Sequence, residues 1–234
     1  MSSTPCRMNE RRTFLSRFAA GAAVIGGLLR GEPAHAQSRR PEEWQPARHT
    51  KDDWLDQLPG GHRFIFDSIS PLGFGSALLF ANNFFLANQN GYGLGNGDAA
   101  VVIVARHNST CFAFTDPIWR KYGAAIGDAA GGFDDPKIKM RPSSNVYMSA
   151  THQSLLPNNG VTIDSLVARG VHFAVCEMAT RRFAGAIATA TKGDTEAVFK
   201  ELSSNLIRNS HLVTAGIVAV NRAQERGYAF AAAM

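Results

Sequence analysis

Ala100–His107, AVVIVARH, is a continuous apolar and mostly β-branched run that ends on Arg106 and His107. A strand-length run without alternation reads as a strand buried on both faces, the kind that sits inside a parallel sheet covered by helices. The flanking sequence agrees. Upstream, HRFIFDS (His62–Ser68) is a short strand. The stretch from Pro71 to Gly93 is helical: Leu72, Ala77, Leu78, Phe80, Ala81, Phe84 and Phe85 crowd an apolar face, with Ser70 as N-cap and Pro71 in the first turn. Downstream, VHFAVCEM, HLVTA and YAFAA read as three more strands. Helices are expected at Asp164–Arg169, Thr180–Thr189, Thr195–Arg208 and Gly216–Arg226. Strands separated by helices imply crossover connections, hence an α/β fold with a mostly parallel sheet and helices on both faces.

This topology sorts residues by sheet edge. Parallel strands all point the same way, and ligands gather outside their carboxyl ends. His62, His172 and His211 each begin a strand, which places them on the opposite edge in structural or solvated roles. Ser68 and Ser70 follow the first strand, Arg106, His107 and Cys111 follow the second, and Cys176 and Glu177 close the third. These share the carboxyl edge.

Within HFAVCEMATRRFAG (His172–Gly185), Cys176 stands where strand turns into helix. The partial positive charge of a helix N-terminus and the nearby Arg181 and Arg182 both favour thiolate there. Free cysteine is also among the most buried residue types, so spacing alone leaves a reactive thiol and a core residue equally open.

The stretch GVHFAVCEMATRRFAG resembles the DsrE/DsrF-like family of sulfur-handling proteins, in which a strand ending in Val-Cys leads into a helix carrying Ala-x-Arg-Arg-Gly. Here Phe183 and Ala184 separate Arg182 from Gly185. The closing TAGIVAVNRAQERGYAFA is similar to that family's last unit, and the resemblance spans Gly61 to Ala231. It implies a small α/β domain that assembles as an oligomer. It further implies that Cys176 accepts a sulfane sulfur as a persulfide. Non-catalytic members exist, so a binding or assembly role for the same fold stays open beside the relay role.

Cys111 lies about five residues past a strand's carboxyl end, which leaves open a Cys111–Cys176 disulfide or redox pair, or a thiol that simply packs with Phe112 and Phe114. His107 is placed to poise a thiol or bind a ligand, and Arg106, Arg181 and Ser70 are the substrate-binding candidates. His107, Cys111, Cys176 and His152 are the residues that could converge on a metal, but no metal-ligand spacing appears and no metal is expected. Nothing calls for a cofactor either. Gly91, Gly93 and Gly95 imitate a dinucleotide fingerprint, but they follow a helix and precede a strand, which is the wrong order for a phosphate cradle. A Gly-x-Ser-x-Gly elbow is absent, leaving a hydrolase without support.

The 234 residues are 45% hydrophobic and 18% charged, a globular composition, with a formal net charge of +5. Much of that charge sits at the N-terminus. Arg11-Arg12 followed by Thr-Phe-Leu resembles a twin-arginine export signal; a weakly apolar segment from Phe18 to Leu29 and the Ala34-His35-Ala36 cleavage pattern follow. That segment is too short to span a bilayer, so no stable membrane insertion is expected. Residues 1–36 are therefore expected to be removed by cleavage after Ala36, with the twin-arginine translocase as a transient partner and the periplasm as destination. They hold five of the 24 basic and two of the 19 acidic residues, so the remainder is near neutral and carries no signature of nucleic-acid binding. Cys6 leaves with them, and two cysteines are too few for a disulfide scaffold.

Residues 37–61 read as a linker ending in one short helix near Asp52–Gln57, whose Trp54 and Leu58 are placed to dock on the domain at 62–234. The stretch 123–160, rich in Gly, Ser, Asn and Pro, is far longer than an ordinary connection. It reads either as a cover over an edge or subunit contact, or as a mobile insertion. Together these readings give an exported α/β protein, expected to be a homo-oligomer, that binds or relays a small sulfur species through Cys176.

Overall fold

Strand β2 (Ala99–Ala105) is buried along its whole length because it lies in the middle of a sheet covered on both sides. In the computed structural model, which describes residues 45–234, five strands pair in the order β4-β3-β2-β1-β5 and every pairing is parallel. The other strands are β1 (His62–Ser68), β3 (His172–Cys176), β4 (Ser210–Val213) and β5 (Ala229–Ala233). The expected export signal, its expected cleavage after Ala36 and residues 37–44 of the expected linker lie outside the described residues.

The direction in which the chain steps along the sheet decides which face each helix covers. From β1 to β4 it always steps to the adjacent strand in the same direction. With crossovers of one hand, the intervening helices must then stack on a single face. These are α2 (Pro71–Tyr92), α3 (Asp116–Ala129), α4 (Ile163–Val167), α5 (Glu177–Thr191) and α6 (Thr195–Ser203). They build the larger core around Phe66, Ile103, Val175, Phe74, Trp119 and Phe183. The last step reverses direction, from β4 back past β1 to β5, so α7 (Gly216–Gln224) crosses the opposite face. There it packs with Ile65, Val102, Val104 and Ala174.

A short helix, α1 (Trp54–Gln57), completes the cover of the α7 face. Leu55 and Leu58 are buried in that smaller core. The Leu55 carbonyl accepts from Tyr228 Oη at 2.7 Å and from Arg63 Nη1 at 2.9 Å, which satisfies backbone at the end of a helix too short to satisfy itself. Trp54 stacks on His211 with ring centroids 3.9 Å apart, and His211 Nε2 lies 2.9 Å from His172 Nδ1. These two histidines open β3 and lie in β4, at the amino edge.

This cluster ties stability to pH. Burial, with His172 acting in the same direction, pushes His211 down to about 4, and burial lowers His172 as well. Between the ordinary histidine value of about 6.5 and about 4, the unfolded chain takes up protons that the folded chain refuses. Stability is therefore full above about 6.5 and falls as pH drops toward about 4. Both rings are partly exposed, so solvent screening reduces the expected loss to about 1–2 kcal/mol. Urea unfolding at pH 7 and pH 4.5 measures it. His211→Gln should flatten the difference, and an unchanged difference in that variant would assign the pH dependence elsewhere.

The 123–160 stretch begins inside α3, which runs to Ala129, and the rest is a series of turns with one 3-10 turn at Ala150–His152. It folds over the carboxyl edge. Asn145 Nδ2 donates to the carbonyls of Phe112 and Phe114, Tyr147 Oη donates to the Pro71 carbonyl, and His152 Nε2 lies 2.9 Å from Asp135 Oδ1. Among the described residues no helix is long and apolar enough to cross a membrane.

Candidate functional site at the carboxyl edge

The pairing register brings Arg106, Cys176 and Val213 into one row. Ala105 pairs with Val175, so one residue further on Arg106 stands beside Cys176, and Cys176 pairs with Val213. Register partners in a parallel sheet point to the same face. Cys176 continues the parity of Ala174, and Arg106 that of Val104, which assigns both to the α7 side.

Cys176 is the N-cap of α5. Its sulfur accepts the Ala179 N–H at 3.5 Å and its carbonyl accepts from Thr180 Oγ1 at 2.9 Å. The residue is only 7% exposed. Fifteen helical residues begin at this sulfur, so it meets the positive end of a substantial helix dipole.

Asp67 holds the neighbouring guanidinium. Arg106 Nε and Nη2 donate to the two Asp67 carboxylate oxygens at 2.7 and 2.8 Å, a bidentate pair with Asp67 buried and Arg106 partly exposed. This bonding raises Arg106 above its ordinary value against the opposing effect of burial, and the Cys176 sulfur acts in the same direction as Asp67. Gly216, the first residue of α7, lets that helix come down on the arginine. A Cβ there would sit 2.6 Å from Arg106 Cβ and 2.9 Å from Cδ. Under the pair, Ser109 Oγ lies 2.8 Å from both the Arg106 and the Ser68 carbonyl, either of which can take its single proton, and accepts the Arg106 N–H at 3.0 Å, while Ser68 Oγ donates to the Val104 carbonyl at 2.7 Å. The backbone that carries Arg106 is thereby fixed from below.

The remaining candidates lie apart from this row. Cys111 is fully buried in the larger core, where its thiol is 3.2 Å from the Asn108 carbonyl; desolvation pushes it far above the ordinary thiol range. Both cysteines are free, and they belong to opposite sides of the sheet, so the structure does not bring them together as a pair. His107 is exposed and takes a left-handed backbone conformation, with φ of 56°, at the start of the 3-10 turn His107–Ala113. Arg181 turns to Glu177 and Glu196, at 3.0 and 3.2 Å, and lies over the Phe199 ring. Arg182 instead reaches the carboxyl edge and donates to the carbonyl of His107 and to Asn108 Oδ1. Ser70 serves as the N-cap of α2, with Oγ accepting the Gly73 N–H at 2.9 Å. His152 is engaged with Asp135 inside the insertion, and among the described residues no three histidine, cysteine or carboxylate side chains are grouped so as to hold a metal ion.

Asp67, Ser109 and Gly216 are members of the site that sequence reading passed over. Asp67 carried a usable signal: it is a carboxylate with the same strand parity as the core residue Ile65, a position that demands a buried partner.

What this arrangement offers chemically is a sulfur at a helix N-terminus beside a cation whose position is locked. Comparisons with protein-family models, with curated proteins and with solved structures find no match to this chain.

Proposed function

We propose that this protein binds or relays a small sulfur species through Cys176. The observation that carries the reading is the Cys176 sulfur capping α5 directly beside the Asp67-held Arg106. A thiolate is the nucleophile in sulfur exchange. Attack of Cys176 on the outer sulfur of a donor R–S–SH forms Cys176–S–SH and breaks the R–S to S bond, whose electron pair leaves with R–S⁻. No outside oxidant is required, and Arg106 is placed to balance the anionic charge that persists throughout. The proposal includes membership of the DsrE/DsrF-like family, oligomeric assembly, and export to the periplasm supported by Arg11-Arg12 and Ala34-His35-Ala36.

The 7% exposure of Cys176 favours a second reading, a non-catalytic binding protein that uses this cysteine for packing. One experiment separates the two. Folded protein treated with polysulfide should gain the mass of one sulfur atom at Cys176. Cys176→Ser should lose that gain completely with its circular dichroism unchanged, and Cys111→Ala should keep it. A gain that persists in Cys176→Ser, or that requires denaturant, would favour the packing role.

A further inference from the structure

β5 is the outer strand of the sheet, and among the described residues only β1 pairs with it. Alternate backbone N–H and C=O groups therefore point outward with no strand to receive them. Edge strands are ordinarily protected by a charge, a proline or a bulge. The stretch AFAAA has no charge and no proline, and its register with β1 runs unbroken from Ala229 to Ala233. The last charged residue before it, Arg226, is buried and donates to Asp56 at 3.0 Å.

The helix layers leave apolar surface along the same edge. On one face α2 comes down on β5, where a Cβ at Gly73 would sit 2.5 Å from the Ala233 carbonyl oxygen. Phe80, about two turns on and on the same side of the helix, is exposed, as is Leu72 in the first turn. None of the 22 residues of α2 is charged. On the α7 face Phe230, the register partner of Ile65, is exposed. Ile217 is exposed too. It stands about 140° round α7 from Arg222, which lines a recess with Val213 of β4, so Ile217 looks the other way, toward β5.

Two copies of this edge fit each other. Set antiparallel and centred on Ala231, all five residues of β5 pair: Ala229 with the partner's Ala233, Phe230 with the partner's Ala232, and Ala231 with its own counterpart. Paired residues share parity, so the outward groups of one copy meet those of the other. Each phenylalanine then faces an alanine, and the alanines on the α2 face leave room for the two α2 flanks. A two-fold axis sets identical surfaces together, so a charge beside it would face its own copy; neither β5 nor α2 carries one.

We propose that the protein dimerises through β5, making one sheet continuous through both copies, with the flank of α2 and Ile217 closing over the junction. The inference gives the oligomeric assembly proposed above its surface, and it does not depend on sulfur chemistry at Cys176.

Cross-linking reads the register directly. Ala231→Cys, in the full chain carrying Cys6→Ser, should form a covalent dimer on mild oxidation, because directly opposed Cα atoms about 4.5–5.5 Å apart are within disulfide reach. Phe230→Cys should not, since its counterpart lies a diagonal step of about 7–8 Å away. By light scattering the wild-type chain should show twice its 25.2 kDa. Phe230→Lys and Ala232→Glu should each weaken dimerisation at least about tenfold, by burying an unpaired charge at the seam, with circular dichroism unchanged. Mixing these two variants should restore the dimer, because the opposite charges then face each other. A wild-type chain that stays monomeric overturns the interface and the oligomeric assembly together. An oligomer whose mass and cross-linking ignore all four substitutions removes this surface and leaves assembly to another face. Both results are separate from sulfur uptake, which Phe230→Lys should retain.

Discussion

Replacing Arg106 with methionine is expected to lower the unfolding free energy by about 3–5 kcal/mol, the range for removing one partner of a buried ion pair. The size follows from what is left behind. Asp67 is 6% exposed on the central part of the sheet, and both of its oxygens are used by the guanidinium. Methionine fills much of the arginine's volume but leaves the carboxylate without a partner in a layer that otherwise contains Ile65, Val102, Val104 and Ala174. The double variant Asp67→Leu/Arg106→Met should recover most of the loss, because removing both charges also removes the desolvation that their attraction has to offset. Urea unfolding of the three variants gives the comparison. A loss below about 1 kcal/mol in Arg106→Met would mean that water reaches Asp67 and that Arg106 is not fixed beside Cys176. The same variants separate scaffold from site: the double variant should be stable and yet accept sulfur more slowly than wild type, since its row has lost the only cation flanking Cys176 in register.

The alternation of strand and helix was legible because each strand is a short apolar run and α2, the longest helix, carries its own start signal. That signal is Ser70 before Pro71: it caps α2 as its residue type suggests. Edge assignment was legible as well, since chain direction alone puts His172 and His211 at one end of the sheet and Arg106 and Cys176 at the other. Face assignment was not legible beyond the strands. Cys111 leaves β2 at the same edge as Arg106, but the 3-10 turn His107–Ala113 carries it into the core under α2, and no local periodicity announces that turn's direction. Arg181 and Arg182 show the same limit on a helix. Adjacent residues point about 100° apart, and Glu177, one turn back, together with Glu196 on α6 draws Arg181 away while Arg182 reaches His107 and Asn108. Asp67–Arg106 joins residues 39 apart in sequence, a pairing fixed only by the β1–β2 register.

The 123–160 stretch had two readings, and a single side chain separates them by a large margin. Tyr147 is fully buried, with its ring 4.8 Å from that of Phe112 and 5.6 Å from that of Phe74 between centroids, and its hydroxyl donates to the Pro71 carbonyl at 2.8 Å. Truncating a buried aromatic of this size costs about 3–5 kcal/mol, so Tyr147→Ala is expected to fall in that range. Tyr147→Phe should cost only about 1 kcal/mol, the net worth of one hydrogen bond, because the packing is retained. A mobile insertion would make both changes almost silent, within about 0.5 kcal/mol. Gly123 supplies an independent check from the other side of the contact. An added Cβ there would run into the Pro142 carbonyl, which is backbone and cannot rotate away, so Gly123→Ala should also destabilise and should expose the segment beyond Ala129 to proteolysis. Limited digestion of Gly123→Ala and Tyr147→Ala at 25 °C should cut within 131–160 before anywhere else in residues 45–234. Cleavage there at equal rates in wild type would return the insertion to the mobile reading. Because this segment closes over Phe112 and the start of α2, its attachment also fixes the end of β1 and the 3-10 turn that carries Ser109, and through Ser109 the backbone of Arg106. Loss of Tyr147 packing should therefore slow sulfur uptake at Cys176 even in the fraction that remains folded.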